Sequence, residues 1–126
     1  MKLLMIVSIF TCLALGQDGA VFACNLKVFQ PEERRQHIKL THEIMAAIVA
    51  HQELPQGYSF QLDTSQVSVV EVAEWVGREK KCCPFFDFQI RFDGAPEGKL
   101  FLALTGRAGV KQFILAEFQG LLPAGI

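Results

Sequence analysis

Two adjacent cysteines at a predicted helix end constrain the possible folds and functions of this chain more than any other feature of its sequence. They lie within residues 78–92, REKKCCPFFDFQIRF. Pro84 disfavours a helical conformation at Cys83, so a helix that contains Glu79 should end there. The residues after Pro84 alternate in polarity, which predicts a strand. Cys82 and Cys83 therefore lie at a helix-to-strand junction, where their sulfur atoms can point in different directions.

The rest of the chain is typical of an α+β domain. The predicted order is β-α-β-α-β-β-α, with strands over residues 21–29, 58–63, 85–92 and 99–105 and helices over 31–54, 68–83 and 110–121. A mostly antiparallel sheet with the helices packed on one face, a two-layer sandwich, satisfies this order.

Both longer helices are predicted from their apolar stripes. In the first, Ile38, Thr41 and Met45 recur at helical spacing. In the second, Ser68 and Glu71 have the spacing of a capping box, and Val69, Val72 and Val76 share a side with Trp75 beside them.

The N-terminal residues predict export. MKLLMIVSIFTCLALG has one lysine and then an apolar run, as in a secretory signal. We predict a signal over residues 1–23, cleaved after Gly16 or Ala23, and one domain over residues 24–126. The protein would be periplasmic or secreted, with a membrane anchor only if cleavage exposes Cys24 for lipid attachment. The net charge of −1 argues against a nucleic-acid partner.

Removal of the signal leaves Cys24, Cys82 and Cys83, for which three interpretations stay open. A disulfide could join Cys24 to either of the others, in a binding or structural domain without cysteine chemistry. Alternatively, the three thiols could bind a soft ion such as zinc, copper or mercury, with Glu79 as a further ligand or proton acceptor. Glu79 lies on the same side of the helix as both neighbouring cysteines. Thiol-disulfide redox chemistry is the third interpretation.

Other sites of chemistry are not indicated. His37, His42 and His51 do not share a helix face, and each is predicted to lie at the surface. No phosphate loop, zinc-protease motif or serine-hydrolase motif occurs, so no catalytic residue is assigned and binding is expected rather than catalysis. The expected partner is a metal ion or small molecule, and no oligomeric state is predicted.

The chain also resembles a family of small, largely uncharacterised bacterial proteins. The resemblance rests on ACNL, PEERRQH, ELPQGYSFQL, LTGRAGVKQFI and an E-x-x-C-C-P-F-[FL]-x-F motif that begins at Glu79, and it covers residues 23–118. Such proteins are associated with heavy-metal resistance, which implies a role in metal binding by thiols. The family's early Cys-x-Leu matches Cys24 and Leu26, which implies a role for Cys24 inside the domain. The signal segment departs from the family, whose members are mainly cytoplasmic.

Overall fold

The computed structural model describes residues 22–94, 96 and 98–126. Within them, a short 3₁₀ turn (Leu26–Val28) precedes three helices and four strands. In chain order these are α1 (Pro31–Ala46), β1 (Ile48–Leu54), β2 (Gly57–Leu62), α2 (Val69–Cys82), β3 (Asp87–Phe92), β4 (Leu100–Thr105) and α3 (Val110–Glu117). The predicted signal lies outside the described residues except for residues 22 and 23. None of the described helices is long and apolar enough to cross a membrane.

The α+β class is confirmed. The strands form one antiparallel sheet in the order β1-β2-β4-β3. Phe60 of β2 lies opposite Leu102 of β4, which in turn pairs with Ile90 of β3, so these three side chains share one face. This face forms the core together with the helices, whereas Ser59 and Gln89 lie on the opposite, polar face.

The first predicted strand is wrong. Residues 22–25 are irregular, and residues 26–28 form the 3₁₀ turn, whose start is capped by the Asn25 side chain accepting from the Lys27 N–H. The backbone N–H of Asn25 donates to Cys82 O at the end of α2 (2.8 Å) rather than to a strand. The guanidinium of Arg34 binds the carbonyl of Leu26 as well (3.0 Å). Hydrogen bonds to helices thus replace the sheet pairing that the alternating pattern predicted.

The first helix is shorter than predicted, and strand β1 occupies the last seven residues of the range predicted as helix. Helix α1 ends at Ala46, and residues 48–54 pair with β2 as a hairpin. Leu54 and Gly57 are partners across this tight turn. A Cβ on Gly57 would lie 1.9 Å from Leu104 O, so only glycine permits this approach between strands. Pairing with β2 therefore decides the structure of a segment whose spacing also suits a helix.

The elements predicted for the second half of the chain are present, but β3 begins at Asp87 and α3 ends at Glu117. Val69, predicted in the apolar stripe of α2, is exposed. Ser68 and Glu71 form the capping box at the start of α2, which ends at Cys82. Strands β3 and β4 pair as an antiparallel hairpin. A helix begins at Val110, and its Val110 and Ile114 are buried in the core.

Candidate functional site

The C-terminal end of α2 positions an acid and two thiols. Val72, Trp75, Glu79 and Cys82 are its buried residues, at the spacing of one helix face. Cys83 caps the helix with non-helical backbone angles (φ −126°, ψ 69°), while its N–H still donates to Glu79 O (2.7 Å). The departure from helical geometry before Pro84 was predicted. Its effect is that both cysteine side chains are buried, on the side where Glu79 lies.

Cys24 completes the group through a disulfide with Cys83. Their Cα atoms are 4.6 Å apart, within the range that a disulfide requires. Of the two pairings left open by the sequence, the one with Cys83 is observed, and Cys82 is left as a buried free thiol. A sulfur atom in this bond cannot also carry a lipid, so the disulfide and lipid attachment at Cys24 exclude each other.

Four side chains form a compact donor cluster. The ligand atoms of Cys24, Glu79, Cys82 and Cys83 all lie within 4.8 Å of one another. The sulfur atoms of Cys82 and Cys83 are 3.5 Å apart, and Glu79 Oε1 lies 3.2 Å from Cys83 Sγ. This group could hold a metal ion. All four predicted site residues are thus brought together, although a disulfide joins two of them here.

His37 belongs to the site, and the prediction that it is a surface residue is wrong. Its side chain is only 2% exposed and that of Glu79 is 5% exposed. The Nε2 atom lies 2.6 Å from Glu79 Oε2, so a proton on Nε2 is donated to the carboxylate. The imidazole packs between the rings of Phe29 and Trp75. Its Nδ1 atom is buried without a hydrogen-bond partner among the described residues.

The position of the buried stripe on α1 explains why His37 was missed. We predicted a stripe through Ile38, Thr41 and Met45, but Ile38 is 40% exposed. The buried stripe includes His37, Leu40 and Ile44, at spacings of three and four residues. Leu40 and Ile44 lie at i+3 and i+7 from His37, but the exposed His42 has Met45 and Val49 at the same spacings, so this pattern alone does not distinguish the buried histidine. His42 and His51 are exposed, as predicted.

Thr41 connects α1 to α2 beside the site. Its hydroxyl donates to His37 O (2.8 Å) and accepts from the indole N–H of Trp75 (2.8 Å). Trp75 is fully buried and stacks beside the His37 ring, with 6.1 Å between ring centroids. These contacts fix the orientation of the two rings that flank the donor cluster.

The electrostatics of the site favour a protonated Cys82 in the absence of a metal. Burial, followed by the negative charge of Glu79, raises the pKa of the Cys82 thiol to about 12. Because thiolates and not thiols are nucleophiles, the thiol is unreactive at neutral pH in this environment. Partial desolvation, followed by the negative charge of Glu79, also raises the pKa of Glu117, although much of this side chain is in contact with solvent.

A cleft of about 150 Å³ adjoins the cluster. The sulfur atoms and Glu79 contribute polar lining, with His37, Thr41, His42 and Glu117. The apolar lining comes from the 3₁₀ turn, α1 and the chain around the end of α3, namely Leu26, Ile38, Phe118 and Leu121. Cys24 is partly exposed, whereas Cys82 and Cys83 are buried. A small ligand could therefore approach the cluster from this side.

Comparison with known proteins assigns no relative to this fold or site. No family model, curated protein or solved structure matches the chain. The resemblance to the bacterial family with the double-cysteine motif therefore stays a prediction.

Proposed function

We propose that the reduced form of this protein binds one soft metal or metalloid ion through Cys24, Cys82 and Cys83, with Glu79 as ligand or proton acceptor. The observation that carries the proposal is the convergence of these four donors within 4.8 Å. Thiolate donors select soft ions such as Cu(I), Zn(II) and Hg(II). Two sulfur ligands of a tetrahedral zinc ion lie roughly 3.8 Å apart, given a bond length of about 2.3 Å. The Cys82–Cys83 sulfur separation of 3.5 Å is close to this value.

Oxidation state controls access to the site. In the disulfide form, Cys24 and Cys83 share a bond and cannot act as thiolate ligands. Reduction by two equivalents of a small thiol yields two cysteine thiols and one external disulfide. Binding of the ion then displaces protons from the thiols, so affinity should fall at low pH. The disulfide supports the expectation of an oxidising compartment, and an external reductant would be needed there.

The test is a metal titration of the full chain in both oxidation states. The reduced protein, freed of reductant under nitrogen, should take up one equivalent of Cd(II) or Hg(II), with thiolate-to-metal charge-transfer absorbance and proton release. The oxidised protein should bind at least tenfold more weakly. Cys82→Ser should lower the affinity of the reduced form, because it removes a thiolate.

A matched pair of variants tests the role of the acid. Glu79→Gln removes the buried carboxylate, whereas Glu74→Gln removes an exposed one that pairs with Arg78 on the same helix. We expect reduced affinity in the first variant only. No metal uptake by the fully reduced wild-type protein would refute the proposal.

The second candidate is a disulfide-stabilised binding or structural domain. The observation in its favour is the disulfide itself, which ties the N-terminal segment to the end of α2. This function predicts that the reduced chain binds no metal and that loss of the bond affects stability alone. The titration above separates it from the metal-binding proposal.

Thiol-disulfide exchange is the third candidate, favoured by the 3.5 Å contact between Cys82 Sγ and Cys83 Sγ. Attack of Cys82 on Cys83 would form a bond between neighbours, break the bond to Cys24 and transfer the proton to the Cys24 thiol. No oxidant is consumed in this step. Peptide mapping of the oxidised protein at neutral pH tests this exchange. A detectable Cys82–Cys83 disulfide would support it, whereas finding the Cys24–Cys83 disulfide alone would refute it.

A further inference from the structure

The cleft beside the sulfur atoms is larger than a bare ion needs. A cavity that measures about 10–15 Å³ on the same scale holds one water molecule, and the cleft measures about 150 Å³. An apolar cavity of about that volume, lined by aliphatic and aromatic side chains, accepts a benzene molecule. The cleft therefore has room for an organic group beside an ion on the thiols.

The chemistry of the walls suits such a group. Phe118 is buried, Leu26 and Leu121 are half-buried, and Ile38 is partly exposed at the side of α1. These side chains offer an apolar contact surface. Its removal from water by a bound apolar group is favourable. Phe118 also belongs to the hydrophobic core, and Leu26 and Leu121 pack against it. A hydrated ion gains nothing from the apolar surface that these side chains present to the cleft.

We infer that the site accepts a monoorganic form of a soft metal or metalloid, with the metal on a cysteine sulfur and a substituent of up to phenyl size against Leu26, Phe118 and Leu121. The inference rests on the proposed function and specifies its ligand class. In the binding step a cysteine S–H is replaced by S–M–R. The bond between the metal and its departing chloride breaks, the bond to sulfur forms, and the proton leaves with the chloride. No atom changes its oxidation state.

The test compares two probes that differ in the organic group. Reduced full-length protein is titrated with methylmercury chloride and with phenylmercury chloride, each in competition with 2-mercaptoethanol. The competing thiol cancels the intrinsic strength of the mercury–sulfur bond, so the ratio of the two competition constants reports the contact with the organic group. We expect the protein to favour phenyl over methyl by about tenfold, the effect of burying part of one face of the ring.

Polar substitutions in the walls provide the controls. Leu121→Asn should bring the ratio of the two competition constants close to one. If this variant folds poorly, Ile38→Asn repeats the test at a position that is already 40% exposed. Val70→Asn makes the same kind of change at a site on α2 that is 71% exposed and away from the cleft, and should keep the wild-type ratio.

The outcomes separate this inference from the proposed function. A ratio near one in the wild-type protein, with Hg(II) still bound by the reduced cluster, overturns the inference and leaves the proposed function in place. A tenfold ratio that neither cleft variant lowers also overturns it. If the reduced protein binds neither Hg(II) nor the organic probes more tightly than 2-mercaptoethanol does, the proposed function fails and the inference fails with it.

Discussion

Replacing His37 with leucine should destabilise this protein more than replacing both His37 and Glu79 with apolar residues. In the oxidised protein the imidazole of His37, 2.6 Å away, is the nearest hydrogen-bond donor to the carboxylate of Glu79. The sulfur of Cys83 lies 3.2 Å from the other carboxylate oxygen, but a disulfide sulfur carries no hydrogen and cannot donate. The thiol of Cys82 is a weak donor at 3.7 Å.

The magnitudes follow from the burial of both partners. His37→Leu leaves the carboxylate of Glu79, whose side chain is 5% exposed, without its strong donor, which should cost about 3–5 kcal/mol of unfolding free energy. Glu79→Met leaves the imidazole N–H without an acceptor, at about 1–3 kcal/mol. The double variant removes both polar groups and retains similar volumes, so it should cost no more than about 2 kcal/mol. The coupling between the two positions is therefore about 2 kcal/mol or more.

Urea unfolding of the oxidised protein measures these values through the fluorescence of Trp75, the single tryptophan of the chain. The four proteins form a double-mutant cycle, and the disulfide must be intact in each. If the two single effects add to within about 0.5 kcal/mol of the double effect, the pair is not coupled and the reasoning is refuted.

Four further outcomes are expected. Cys24→Ser should lower the unfolding free energy by about 4 kcal/mol, because the disulfide closes a loop with a sequence separation of 59, and reductant should abolish the difference from wild type. Alkylation of Cys82 in the native oxidised protein, read out by peptide mapping, should be slow at neutral pH and faster at higher pH, because the pKa of this thiol is about 12. Rapid labelling at neutral pH would contradict the burial of Cys82. Thr41→Val should cost about 1–3 kcal/mol and shift the emission of Trp75, whose buried indole N–H loses its acceptor; an unchanged spectrum and stability would exclude that role. The raised pKa of Glu117 contributes stability at low pH that is lost as pH rises above 4.5, the usual value for this group, so Glu117→Gln should remove this contribution in urea unfolding measured from pH 4 to 7.

Local signals predicted the second half of the fold. The capping box at Ser68, the proline at 84 and the alternation after it act within a few residues, and the structure contains the helix start, helix end and strand that they predict. The positions of Glu79 and Cys82 on the buried face of α2 follow from the same helix. This local agreement accounts for Glu79, Cys82 and Cys83 in the donor cluster, whereas Cys24 joins it from a segment whose structure was predicted wrongly.

The errors arose where distant parts of the chain decide the structure. Residues 22–28 alternate like a strand, but their backbone binds α2 and Arg34, which no local pattern reveals. The segment Ile48–Leu54 becomes a strand because β2 follows it at hairpin distance. His37 looked like a surface residue because a histidine is polar, whereas its burial depends on a carboxylate 42 positions away.

The N-terminal segment is attached to α2 by more than its disulfide. The N–H of Asn25 donates to Cys82 O, and Arg34 donates to the carbonyls of both Leu26 and Phe29. These hydrogen bonds do not depend on the S–S bond, so cleavage of that bond should leave Cys24 beside Cys83. The two thiols then keep a high effective concentration. With a small-molecule disulfide in excess as the oxidant, reoxidation should accordingly be first order in protein and should release two equivalents of the small thiol. A metal ion would compete with this reaction for the same two cysteine thiols.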